Sequence, residues 1–313
     1  MWYAKARKKY SSFSLRTNKI HSLTPMKKPY VILFLAVSIS LSFKNDKPAY
    51  SLFNGEGKPV KYEKMLNELA EADLVFFGEL HDNPIGHWLE LEITKDLFRL
   101  KGQNLVMAAE MFERDNQVIL DEYLNDQISQ SSFESEARLW PNYKTDYKPL
   151  VEFAKSNDLV FVASNVPRRY ASLVHKKGFE VLDSLSLEAK TFLPPLPIRY
   201  DPEVKCYKDM LEMEGMQGHV NENFPKAQAL KDATMAHYIM QYWSQGTLSI
   251  HYNGSYHSNN FEGIIWHILQ DHPNLKILTI ANVLQEDLSE LEEENINTAS
   301  YILCVPPSMT RTR

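Results

Sequence analysis

Glu79 and His81 stand two residues apart at the end of an apolar run, Leu74-Val75-Phe76-Phe77-Gly78. A carboxylate and an imidazole at that spacing can move a proton or hold a divalent cation. The run is short, apolar and stopped by a turn residue, which reads as a buried strand. Pro84 follows and suits the first turn of a helix, where a missing N–H costs nothing. The pair is therefore expected on a loop at the carboxyl end of a strand, where open α/β sheets bind ligands.

Three further strands are expected to end in polar groups. Leu105–Ala109 runs into Glu110, Leu159–Ala163 into Asn165 and Arg168, and Leu248–Tyr252 into Ser255 and His257. Alone, each reads as ordinary structure. A single His is commonly a satisfied core residue, and a single Glu after a strand commonly serves a helix start. Four such ends in a parallel sheet share one rim and read as a site. Glu79, His81, Glu110 and His257 could hold a divalent metal with a position open for water. His87, six residues beyond His81, could join from the following helix. The spacing is not that of HExxH, whose histidines sit one helical turn apart. Without metal, Glu79 and His257 could act as an acid/base pair. Ser255 lacks the G-x-S-x-G elbow of a serine hydrolase. Gln228, Asp232 and Met235 share a helical face, and Asp232 could orient a rim histidine.

Haem is the other chemistry the residues allow, since iron accepts Tyr, His or Met from an apolar pocket. Tyr143, Tyr147, Tyr207, Met210, Met213 and His219 all fall in irregular segments. A Met row at helical spacing is also what ordinary core packing looks like.

The elements that must position these groups alternate between strand and helix periods, which predicts one α/β domain. Helices are expected over Lys58–Ala72, Pro84–Leu100, Tyr147–Lys155 and Ala227–Gln245, and later strands over Leu275–Ile280 and Tyr301–Val305, the last at a sheet edge. Residues 183–225 differ. Pro194, Pro195, Pro197 and Pro202 break the chain before Met210, Met213 and Met216, so this stretch reads as a helical lid inserted over the sheet.

Charge is unevenly spread. Eight of the 34 Lys and Arg precede residue 44 and none of the 40 Asp and Glu does, leaving 26 basic against 40 acidic residues beyond it. So acidic a body argues against nucleic-acid binding. Met26-Lys27-Lys28 and the uncharged run Tyr30 to Phe43 read as a secretory signal, too short to span a bilayer. Residues 1–25 then read as an upstream extension, 26–43 as the signal and 44–313 as the domain. Of two cysteines, Cys304 sits in an apolar strand and Cys206 in a polar stretch. Two free thiols are the simpler reading.

The series Gly78-Glu79-Leu80-His81-Asp82-Asn83-Pro84, Glu110-Met111, Trp140-Pro141, Tyr147-Lys148-Pro149-Leu150, Asn165-Val166-Pro167-Arg168, Gln228 to Ala236 and Gly254-Ser255-Tyr256-His257 resembles the ChaN-like haem-binding uptake family of the Tiki superfamily. The resemblance implies an α/β fold in an exported, envelope-associated protein of iron acquisition. It implies haem binding, in some members through a tyrosine and as a homodimer. The wider superfamily includes metal-dependent peptidases and erythromycin-esterase-like hydrolases with a comparable Gly-Glu-x-His signature. Glu79 and His81 carry over as the signature pair, with Glu110 and His257 as partners. For the haem ligand Tyr207 is the first candidate and Tyr147 the second, with Met210 and His219 nearby.

The resulting expectation is a single α/β domain with a mostly parallel sheet flanked by helices and a Pro/Met-rich lid. It would be exported and bind haem, and a divalent metal where the rim groups converge. The alternative is a metal-dependent hydrolase using Glu79, His81, Glu110 and His257.

Overall fold

Strand positions in the centre of the chain are apolar on successive residues, so both faces of the sheet they form must be covered. The computed structural model describes residues 47–216 and 221–312. It has seven strands: β1 (Ser51–Asn54), β2 (Leu74–Glu79), β3 (Leu105–Glu113), β4 (Phe161–Asn165), β5 (Leu248–Gly254), β6 (Ile277–Leu284) and β7 (Tyr301–Val305). They form one sheet in the order β1-β7-β6-β2-β5-β3-β4. Every pairing is parallel except that of β1 with β7. The expected single-sheet, mostly parallel α/β fold is therefore what the chain adopts.

Among the described residues the α-helices are α1 (Tyr62–Ala70), α2 (Pro84–Lys101), α3 (Gln117–Leu124), α4 (Gln130–Glu136), α5 (Lys148–Ser156), α6 (Arg168–Lys177), α7 (Leu187–Lys190), α8 (Lys205–Met216), α9 (Asn223–Tyr242) and α10 (Ile264–Asp271). Along β2, Val75 and Phe77 point to one layer with Leu89, Ile93 and Leu97 of α2 and Leu150 and Val151 of α5. Leu74 and Phe76 point to the other, with Met235 and Ile239 of α9 and Ile264 and Ile268 of α10. These side chains are essentially inaccessible to water. Each contributes about 1.5–3 kcal/mol of burial free energy.

Several boundaries differ from those the sequence suggests. β7 is not a border strand: β1 pairs with it and takes the edge. Four residues between polar neighbours give β1 no signal of its own, and its place comes from the partner it finds. β3 continues past Ala109 through an irregularity, which takes Glu110 into the strand. α9 starts earlier than Ala227, because Pro225 is tolerated in a first turn, and it ends at Tyr242. In the 183–225 stretch, α8 seats Cys206 and Tyr207 against Ala229 of α9. Both cysteines are buried free thiols. The signal segment, the upstream extension and His219 lie outside the described residues. Among the described residues no helix is long and apolar enough to cross a membrane.

Candidate functional site

β5 lies between β2 and β3, so the carboxyl ends of all three meet on one rim. Register places Glu79 beside Gly254, and Glu110 lies just past the paired Ala109 and Tyr252. Glycine at 254 is what lets the groups approach. A Cβ there would come within 2.6 Å of His81 Nε2 and 3.6 Å of Glu110 Oε2. Local signals hold the loop after β2. Asn83 caps α2, its Oδ1 accepting from the N–H groups of Ile85 and Gly86, with Pro84 at the first helical position.

A cleft of about 610 Å³ opens above this rim, and Glu79, His81, Glu110 and His257 all line it. The four do not form one cluster. They divide between two networks joined at His81 and Gly254.

The first network is built on Glu79. Its Oε1 lies 2.6 Å from His81 Nδ1 and accepts from the Tyr147 hydroxyl at 2.7 Å. His87 Nδ1 stands 3.5 Å from Glu79 Oε2 and 3.0 Å from Glu90 Oε2. Asn142 Nδ2 donates to the His81 carbonyl at 2.8 Å and to Asp146 Oδ2 at 2.7 Å. Burial, then the neighbouring Glu90 charge, holds the Glu79 carboxyl well above the ordinary range. Burial also opposes charge on His81, but its bond to Glu79 and the Glu110 and Glu79 charges leave its pKa raised.

The second network is built on His257. Its Nδ1 lies 2.5 Å from Asp232 Oδ1 and its Nε2 3.3 Å from Glu110 Oε1. The Gln228 amide nitrogen lies 3.1 and 3.2 Å from the two ring nitrogens. Gly254 N–H donates to Glu110 Oε2 at 2.7 Å. Burial disfavours an imidazolium here, yet Glu110 and Asp232 outweigh it and raise the His257 pKa to about 10. Burial likewise disfavours the Glu110 carboxylate, but His257, His81 and the Gly254 N–H hold its pKa well below the ordinary value. His257 is thus a buried cation between two carboxylates.

Other expected residues are placed as follows. Asn165 and Arg168 line the cleft, Arg168 with a largely exposed side chain. Gln228 and Asp232 support His257, and His87 joins Glu79. Tyr207 and Tyr147 do not line the cleft. The Tyr207 hydroxyl is buried, donates to Asp232 Oδ2 at 2.9 Å and meets His267 Nε2 at 3.2 Å. The Tyr147 hydroxyl is taken by Glu79. Met210 is buried and lies outside the lining. The cause is packing. α8 turns Tyr207 and Met210 inward, and a π-helical turn at Tyr143–Tyr147 carries Tyr147 under Glu79. Tyr207, Tyr147 and Met210 thus face the interior and not the cleft.

Residues that sequence reasoning passed over include Glu90, Tyr256, Lys231 and Arg311. Glu90 carried a signal, since it lies three residues after His87 on the same helical face. Among the described residues, the group of carboxylates and imidazoles with ligand atoms mutually within 4.8 Å is Glu79, His87 and Glu90. It differs from the quartet expected to bind metal.

A family model described as haem-binding uptake, Tiki superfamily, ChaN matches residues 65–268. The chain belongs to this family. ChaN of Campylobacter jejuni, solved with haem bound cofacially, superposes with a TM-score of 0.59 at 18% identity, covering 81% of this chain and 96% of that one. At that identity the likeness is one of fold. A Bacillus cereus protein gives a TM-score of 0.46 at 11% identity over 90% of this chain and 98% of its own. A mutant of the erythromycin esterase EreC in its open conformation gives 0.46 at 11% over 83% and 98%. No curated protein sequence matches the chain.

Proposed function

We propose that this ChaN-family protein binds haem in the cleft at the carboxyl ends of β2, β3 and β5. Family membership carries the reading. The cleft's residues fit the group. Its volume falls in the range of about 300–1,000 Å³ usual for ligand pockets. Trp140 and Tyr256 offer aromatic surface to a porphyrin, and Arg168, Lys231 and Arg311 offer cations to its propionates. His81 and Tyr256 line the cleft and could ligate iron through a nitrogen or a hydroxyl, whereas both ring nitrogens of His257 face carboxylates. Tyr256 is 38% exposed, and its hydroxyl now donates to the Cys206 carbonyl at 2.7 Å. Bound haem would supply a redox-capable iron; the chain's own groups would grip and orient it.

Haem titration of the purified chain tests this. Saturable binding is expected, with a spectrum that His81→Ala or Tyr256→Phe alters. Binding no tighter than to an unrelated acidic protein would sink the reading. Export, a role in iron acquisition and pairing into a homodimer complete the proposal. They are supported by the family and by the basic, then apolar, segment before residue 44. An envelope-fraction protein whose first residue lies beyond 38 is expected, and a cytoplasmic one starting at Met26 or earlier would contradict export.

A hydrolase is a second reading, favoured by one observation. Glu79 holds His81 Nδ1, and His81 Nε2 faces the cleft beside Gly254, an arrangement suited to a general base. Turnover of chromogenic esters that His81→Ala abolishes and Tyr256→Phe spares would support it. No turnover across ester and peptide panels would remove it.

A further inference from the structure

The two carboxylate oxygens of Glu79 have different surroundings. Oε1 is satisfied by Tyr147 and His81. Oε2 is buried and has no hydrogen-bond partner, and the same is true of Oε1 of Glu90, whose side chain is wholly buried. His87 stands between them, also buried. Its Nε2 lies 3.1 Å from the His81 carbonyl oxygen, which can only accept. A neutral ring with its proton on Nε2 would turn the Nδ1 lone pair toward Glu79 Oε2 and Glu90 Oε2, 3.5 and 3.0 Å away. Acceptors facing one another in a dry interior repel unless something positive lies among them.

The spacing suits a metal. Zinc bonds to carboxylate oxygen and imidazole nitrogen measure about 2.0–2.2 Å, so tetrahedral neighbours stand about 3.4 Å apart. The His87 Nδ1 spans of 3.0 and 3.5 Å already bracket that figure. The hydrogen bond from Nε2 to a carbonyl is how metal-bound histidines are fixed in tautomer and direction. Asp146 Oδ2, 3.5 Å from the same nitrogen, is itself held by Asn142 and Thr312.

We propose that Glu79, His87 and Glu90 bind a divalent first-row transition-metal ion of the zinc type beneath the cleft, in a site that shares only Glu79 with the cleft lining. The ion leaves a fourth position for water. It ties β2 to α2 and keeps Glu79 ionised, so that Oε1 continues to orient His81. The proposal is independent of the haem reading.

The test uses the full chain in a preparation with no haem absorption. After dialysis against chelator-free buffer, close to one equivalent of divalent metal per chain is expected by elemental analysis. Chelated protein should take up cobalt saturably with a ligand-field spectrum of low coordination number. Glu90→Gln should weaken cobalt binding about 10- to 100-fold or more, while Glu110→Gln should not. The wild-type measurements stand even if a variant folds poorly. Wild-type protein with neither retained metal nor saturable cobalt binding would overturn the proposal. An infrared band of a protonated carboxyl that disappears in Glu90→Gln would then assign the gap to a shared proton. Metal lost in Glu110→Gln but kept in Glu90→Gln would move the ion to the rim and equally overturn it.

Discussion

His257 Nδ1 lies 2.5 Å from Asp232 Oδ1, deep under the rim and 25 residues away in sequence. With Glu110 on the opposite nitrogen, the ring is clamped from α9 on one side and β3 on the other. A histidine so held has little freedom to turn and keeps its charge past neutral pH.

That charge makes stability depend on pH. The folded-state pKa is about 10 against 6.5 for an ordinary histidine. Its stabilisation is full below about pH 6.5 and is lost as pH rises through about 10. Denaturation midpoints at pH 6, 8 and 10 should therefore fall in that order. Asp232→Asn should flatten the trend and lower stability at pH 6, because His257 keeps only Glu110 as a partner charge. An unchanged slope in Asp232→Asn would contradict the clamp.

Gly254→Ala and Gly78→Ala should separate site from fold. Gly254 has φ −55° and ψ 136°, which any residue adopts. Its added methyl meets the end of the His81 side chain, so His81 should move and haem affinity should change with little loss of Tm. At Gly78 the methyl would meet the Ser255 Cα at 2.9 Å and the Ile280 carbonyl oxygen at 3.2 Å. Backbone cannot retreat cheaply, so a loss of about 1–3 kcal/mol is expected. Thermal melts and haem titrations on both variants check the contrast.

Tyr207→Phe removes a buried hydroxyl that bonds Asp232. The carboxylate keeps His257 but loses a donor, which should cost about 1–3 kcal/mol. Haem absorption should be unaltered, since Tyr207 does not line the cleft. A changed haem spectrum with unchanged stability would return Tyr207 to the role of ligand.

Asn83→Ala removes the cap of α2, the helix carrying His87 and Glu90. Two N–H groups lose their acceptor, and a destabilisation of about 1 kcal/mol is expected by chemical denaturation. Asn83→Ser should recover most of it.

The strand, loop and helix around Glu79 were legible in the sequence because their signals are local. An apolar run, a glycine, a capping Asn and a Pro act over a few residues, and they hold wherever that piece sits. Strand ends bearing Glu110 and His257 were legible for the same reason. Which strands become neighbours is another matter. β5 enters the sheet between β2 and β3 although it follows them by well over a hundred residues, and only that insertion brings Gly254 against His81 and Glu110. The direction of a side chain within an irregular segment is equally hidden. Tyr207 in the lid stretch and Tyr147 at a helix start look like candidate ligands, yet packing turns both inward, where buried carboxylates take their hydroxyls. Glu90 shows the limit most clearly. Helical spacing puts it beside His87, but its confrontation with Glu79 exists only once α2 docks on β2. Local propensity acts through bonds and short-range sterics; partner choice is decided by burying apolar surface and satisfying polar groups across the whole fold.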